Sequence, residues 1–184
     1  MKVVQTQKLK KTYHFGDTEV TALKEVCLEI EEKEFIAVWG PSGSGKSTLC
    51  NLIGLLDTPT SGEVLIQGTS VTDLTDAERS DLRNSSIGFV FQNFNLIPVL
   101  TALENVMLPL QVTGVSVAEA LERAKSLLQE VDLGDRMGHR PVKMSGGQQQ
   151  RHAIARALVT NPLLLPVSYT NLRAHETTQA VVCR

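Results

Sequence analysis

Aromatic side chains are scarce in this chain: one Trp, two Tyr and five Phe make up 4% of 184 residues. So few rings leave little from which to build a platform that stacks nucleic-acid bases. Positive charge is short as well. Eighteen Lys and Arg against 20 Asp and Glu give a net charge of −2, without a basic field for a polyanion. No apolar run approaches the ~20 residues that a bilayer-spanning helix needs. Residues 1–11 alternate Lys with polar side chains and lack the apolar core of a secretory leader. Cys27, Cys50 and Cys183 are odd in number, far apart and without metal-ligand spacing, the pattern of reduced cytosolic thiols. A guanine-reading NKxD segment is absent, and so is a coiled-coil arm. What remains is the expectation of a soluble chain about one domain long, with 42% hydrophobic and 21% charged residues.

Against these absences stands Gly40-Pro41-Ser42-Gly43-Ser44-Gly45-Lys46-Ser47, which fits the phosphate-loop pattern GxxxxGK[ST]. Its glycines let successive backbone N–H groups turn inward around phosphates. Lys46 is placed to neutralise phosphate charge, Ser47 to ligate Mg²⁺, and Thr48 to offer another hydroxyl near the α/β-phosphates. The context suits the motif. Val20–Ile30 and Phe35–Trp39 read as strands, and Leu49, Leu52, Ile53 and Leu56 give 47–56 a helical period. Strand, loop and helix in that order aim a helix N-terminus at the phosphates.

Further along, Gly62–Gly68 is a strand bracketed by glycines, and Ile87–Phe91 reads as a buried strand ending at Gln92. Thr75-Asp76-Ala77-Glu78, Thr101-Ala102-Leu103-Glu104 and Ser116-Val117-Ala118-Glu119 have the form of capping boxes. Ala120, Ala124, Leu127, Leu128 and Val131 lie on one face of the last helix, running to about Leu133. Residues 96–140 therefore form a mostly helical insert. The charges from Glu119 to Lys125 are its solvated face.

A second motif follows the insert: Ser145-Gly146-Gly147-Gln148-Gln149-Gln150-Arg151. Ser145 with Gln148 at N3 is another capping box, and Ala153, Ile154, Ala157 and Leu158 supply an apolar face. A hydroxyl and two glycines at a helix N-terminus also make an outward-facing anion site. One phosphate loop and one spare phosphate site suggest two copies sharing two nucleotides head-to-tail. Neither His139 nor His152 has the company of a metal ligand, and His14 is incidental.

With both motifs in this order, residues 2–165 resemble the ATP-binding subunit of ABC transporters. The texture is similar to the lipoprotein-release and macrolide-exporter group, in Thr21–Val26, Gly88–Pro98 and Leu103–Val106. The resemblance implies an α/β phosphate-loop NTPase core with an N-terminal antiparallel β subdomain and a helical insert. It implies ATP and Mg²⁺ as cofactors, with Gly40, Ser42, Gly43, Gly45, Lys46, Ser47 and Thr48 around the phosphates. Tyr13 resembles the aromatic that stacks on adenine. Ser145, Gly146, Gly147 and Gln148 resemble the signature that meets a partner copy's nucleotide. Gln92 resembles the glutamine that senses Mg²⁺ and the attacking water. Phe94, Leu96 and Pro98 fall where the family docks its transmembrane partner, which implies a homodimer held peripherally on the cytoplasmic membrane face. No nucleic-acid partner is implied.

The pattern breaks after Leu165. The family continues into a Walker B Asp and a catalytic Glu, whereas here Ser168 and Tyr169 stand near that register. Pro166 removes a ladder donor where a central strand is expected. Glu176 lies too far along to serve, and His175 lacks the setting of the family's switch histidine. The expectation is a nucleotide-binding domain over 1–165 without its C-terminal part, and a tail over 166–184 foreign to it. On that reading the alternative to an ATPase is a non-hydrolysing nucleotide-binding fragment.

Overall fold

The computed structural model describes residues 1–170 and 177–183. It divides into two compact units, Met1–Arg83 with Pro166–Arg184, and Asn84–Leu165.

The first unit is built on a long hairpin, β1 (Lys2–Phe15) and β2 (Thr18–Glu31), turned at Gly16. The 14-residue β1 is longer than its Lys-rich sequence suggests. Val3, Val4 and Leu9 are fully buried along it, so tertiary packing outweighs the polar residues between them. Strands β4 (Ser61–Ile66) and β5 (Thr69–Ser70) complete an antiparallel sheet in the order β2-β1-β4-β5. A second sheet has the order β3-β7-β6, from Phe35–Val38, Thr177–Cys183 and Leu164–Thr170. Strand β3 pairs antiparallel with β7, Phe35 facing Val182 and Val38 facing Gln179. Pro166 thus sits on the edge strand of that sheet, the place in a sheet where proline is tolerated. The helix after the phosphate loop, α1 (Lys46–Ile53), buries Leu49, Leu52 and Ile53. It stops short of the expected Leu56 because Gly54 caps it and Leu55 turns to φ 58°. Helix α2 (Asp76–Ser86) is polar, without a buried residue, and starts from a capping box between Thr75 and Glu78.

The second unit is helical. Helices α3 (Ala102–Val112), α4 (Val117–Glu130) and α5 (Gly146–Leu158) share one core. Ala120, Ala124 and Leu128 are fully buried in it, with Leu127 and Val131 at its margin, as the periodicity of α4 requires. On the outer side Glu119 pairs with Arg123 and Glu122 with Lys125, a solvated face. Thr101 and Glu104 form a complete capping box, whereas Ser116 makes only the half in which its hydroxyl accepts from the Glu119 N–H. The expected strand Ile87–Phe91 is reduced to bridges. Ile87 makes one isolated parallel bridge to Leu164, and the chain then enters a turn. Gly88 lies against the Ala157 carbonyl, where a Cβ would come within 2.1 Å, so close packing fixes this segment without a ladder.

Candidate functional site: a phosphate cradle and an open helix N-terminus

In the first unit, β3 feeds a loop whose backbone turns through left-handed conformations at Gly43 (φ 80°) and Gly45 (φ 88°). Gly45 is the residue that admits no substitute. A Cβ there would lie 2.4 Å from the Ala22 carbonyl oxygen and 2.9 Å from Leu23 Cδ2. Gly45 also occupies the N-cap of α1 and offers no side-chain cap, so the first-turn N–H groups face the loop. Ala22 and the run from Ser42 to Thr48 line a cavity of about 180 Å³.

Lys46 curls back over this loop and is buried. Its Nζ donates to the carbonyls of Gly40 and Pro41, both at 2.7 Å, and to Ser44 Oγ at 3.2 Å. Three donors on one ammonium find three oxygens, which keeps the buried charge satisfied at the cradle's rim. The loop has the chemistry of an anion site: a cation, a helix N-terminus and small residues around a phosphate-sized space. Ser47 follows directly and lies on the same lining, the hydroxyl expected toward Mg²⁺. Among the described residues no cluster of three or more His, Cys, Asp or Glu could hold a metal by itself. The donor set fits Mg²⁺ bound chiefly through nucleotide phosphates and water, with a single hydroxyl from the protein.

Tyr13 joins this group through Thr48, with which its phenol shares a hydrogen bond. The phenol also donates to Asp57 Oδ2 at 2.9 Å, while Lys11 Nζ reaches Asp57 Oδ1 at 2.6 Å. Burial and the Asp57 carboxylate push the Tyr13 hydroxyl above its ordinary value, against the opposing Thr48 bond. Burial also raises the Asp57 carboxyl, but hydrogen bonds from Lys11, Tyr13 and the Thr58 N–H outweigh it and hold the group low. Lys11 Nζ lies 4.9 Å from the Tyr13 ring centre, and Phe15 is tilted beside it with centroids 6.3 Å apart. Tyr13 is therefore held at its hydroxyl end by the same helix that begins at the cradle.

In the second unit, Ser145 is the N-cap of α5. Its Oγ accepts from the Gln148 N–H, and the Gln148 side chain accepts from the Ser145 N–H at 2.9 Å. Gly146 has open space where a side chain would stand, and Gly147 has only Arg151 Nη1 at 4.0 Å. The helix end is thus capped from within and bare outside. The buried side of α5 departs from the expected set: His152, Ala153, Ala155 and Ala157 are buried, whereas Ile154 and Leu158 are only half-buried. His152 donates from Nε2 to the Ala102 carbonyl at 3.1 Å, and its Nδ1 has no partner.

Gln92 is exposed in the turn after the Ile87 bridge. The loop behind it is held by two residues that motif reading alone does not single out. Asn105, fully buried on α3, accepts from the Ile97 N–H at 2.8 Å and donates to the carbonyls of Ile97, Leu100 and Thr101. Arg156 on α5 donates to the carbonyls of Phe94 and Asn95. Asn105 lies in the stretch Leu103–Val106 that resembles the family, but its partners depend on a loop path that spacing does not reveal. The cradle residues and Tyr13 lie in one unit, and Gln92 with Ser145–Gln148 in the other. His175 and Glu176 lie outside the described residues.

The chain is similar to known proteins over most of its length. Residues 23–166 match the ABC transporter family. An uncharacterised ABC transporter ATP-binding protein of Thermotoga maritima is 51% identical over 164 residues, spanning 89% of this chain and 70% of that protein. The lipoprotein-releasing system ATP-binding protein LolD of Alcanivorax borkumensis is 46% identical over 98% of this chain and 79% of its own. The macrolide export ATP-binding/permease protein MacB of Syntrophobacter fumaroxidans is 48% identical over 90% of this chain, which spans only 23% of MacB. Among solved structures, the ATP-binding cassette MJ0796, determined as a dimer in a post-hydrolysis state with ADP and Pi, superposes with a TM-score of 0.81. It is 48% identical and covers 89% of this chain and 72% of its own. No described helix is long and apolar enough to cross a membrane. The chain belongs to the ABC transporter family, and within it to the ATP-binding subunits.

Proposed function

We propose that the chain binds Mg-ATP at Gly40–Thr48 and that a second copy closes over it with Ser145 and Gly147. The observation that carries this reading is the pairing of two complementary half-sites: a cradle with Lys46 at a helix N-terminus whose N-cap is a glycine, and an α5 N-terminus left bare outside. The γ-phosphate then acts as a bridge, because charge-assisted donors from both copies converge on it. Tyr13 stacks on the adenine, Ser47 ligates Mg²⁺, and Gln92 senses the metal and the attacking water. Phe94, Leu96 and Pro98 meet a transmembrane partner, which holds the subunit on the cytoplasmic face. Relatives named for lipoprotein release and macrolide export favour an exported lipoprotein, macrolide or peptide as the transported substrate. Closure by ATP and reopening on hydrolysis power that export.

One observation favours a second reading for the chain as it stands. Residues 163–171 contain no carboxylate, and Ser168 and Tyr169 occupy the register of the metal-ligating and catalytic acids. ATP then closes the dimer without being spent, and the nucleotide-binding domain over 1–165 is followed by a tail without its chemistry. Sedimentation with and without Mg-ATP, alongside phosphate release, separates these readings. ATP-dependent dimers with turnover abolished by Lys46→Ala support the ATPase. Dimers without turnover support the binding-only form, and nucleotide-independent monomers reject the shared site altogether.

A further inference from the structure

The loop that begins at Gln92 is held from outside as well as by its own backbone turns. Phe94 and Asn95 both stand in the left-handed region, at φ 60° and 46°. Asparagine tolerates that conformation, but a phenylalanine rarely adopts it; beside the turns from the Phe94 N–H to the Phe91 carbonyl (3.0 Å) and from the Asn95 N–H to the Asn93 carbonyl (2.6 Å), a support from outside the loop would fix it. The structure has such a group. Arg156 Nη1 donates to the Asn95 carbonyl at 2.6 Å and Nη2 to the Phe94 carbonyl at 2.8 Å. Both prongs of one planar guanidinium are used on consecutive carbonyls, a geometry that an ammonium cannot reproduce. Burial draws the Arg156 guanidinium below its ordinary value. Asn105 fixes the far end of the same loop at Ile97 and Leu100. Gln92 itself, two residues before the first anchor, is left exposed.

Arg156 also belongs to the helix that starts at the open Ser145–Gly147 end, within Gly146–Leu158. Ten residue steps of one helix, from Gly146 to Arg156, separate the two ends, about 15 Å at 1.5 Å per residue. The loop is thus bonded to the same helix that presents the second half-site.

From this we infer that Arg156 is a positioning residue for Gln92, setting its loop and tying that loop to the signature helix through the Phe94 and Asn95 carbonyls. The inference rests on the reading of Gln92 as the residue that senses Mg²⁺ beside bound ATP. Arg156 acts here through the two loop carbonyls it bonds.

The test is the gain in ATP affinity on adding Mg²⁺, measured by calorimetry on the full chain and on Gln92→Ala, Arg156→Gln, Arg156→Lys and the double variant Gln92→Ala/Arg156→Gln. Expected is a several-fold loss of the Mg²⁺ gain in Gln92→Ala and a loss of the same size in Arg156→Gln. The double variant shows no further loss, and Arg156→Gln keeps the wild-type affinity in EDTA. Arg156→Lys, which keeps charge and most of the packing, falls between and guards against a misfolded Gln variant. A lower melting temperature in Arg156→Gln with an unchanged Mg²⁺ gain makes the residue merely structural and overturns the inference. Losses that add in the double variant overturn it as well. An unchanged gain in Gln92→Ala strikes at the Gln92 reading itself, and absence of ATP binding in the wild type strikes at the functional proposal, so the three failures are distinct.

Discussion

Acidification should weaken the helical unit through His152. The imidazole is fully buried, gives its Nε2 proton to the Ala102 carbonyl, and leaves Nδ1 without a partner. A second proton must therefore enter at Nδ1, as an unpaired buried cation close to the Arg156 charge. Burial first, and Arg156 after it, outweigh the help of the Ala102 bond and lower the group to about 4. In the unfolded chain histidine titrates near 6.5. Between these values the unfolded state binds the proton and the folded state does not, so stability falls as pH drops. The loss begins near pH 6.5, reaches about 2 kcal/mol at pH 5, and levels off near 3 kcal/mol below pH 4. Urea unfolding of wild type and His152→Leu from pH 7.5 to 5 isolates it, because the other titrating groups are common to both chains. The variant loses the Ala102 bond at every pH, so it is less stable near neutrality and narrows the gap on acidification. Two stability curves that stay parallel from pH 7.5 to 5 would refute the reasoning.

Gly45→Ala should abolish ATP binding and lower stability by at least 1–2 kcal/mol, since it combines a left-handed backbone with a Cβ 2.4 Å from a carbonyl oxygen; calorimetric titration and thermal unfolding report the two effects. Asn105→Ala should cost on the order of 2–3 kcal/mol by urea unfolding, because it strands the Ile97 N–H beneath the loop. It should also speed amide exchange at Ile97, and wild-type exchange there would count against Asn105 as the anchor.

Much of the site was legible because its determinants are local. The phosphate loop needs glycines at fixed steps before a helix, and Gly43 and Gly45 take the left-handed turns that the pattern requires. Ser145 with Gln148 and Thr101 with Glu104 bond reciprocally, as their three-residue spacing dictates. The α4 stripe is buried where its period places it. What escaped depends on distant partners. Lys2–Phe15 reads as polar, yet it becomes a strand because β2 and β4 cover its two edges. Ile87–Phe91 has a strand's composition, but it finds one bridge to Leu164 before the loop takes over. The grip of Arg156 on Phe94 and Asn95 joins residues about sixty positions apart, and nothing in a local pattern encodes it. Pro166 argued against a central strand, and β6 is at a sheet edge.

The central claim is that the Gly40–Thr48 cradle grips a nucleoside triphosphate through Lys46. Its most direct test is calorimetric titration of the full chain and of Lys46→Ala with Mg-ATP. The account predicts saturable binding by the wild type and at least a hundredfold weaker binding by Lys46→Ala, with both chains folded by circular dichroism. Equal affinity in the two proteins, or no binding by a folded wild type, would contradict it.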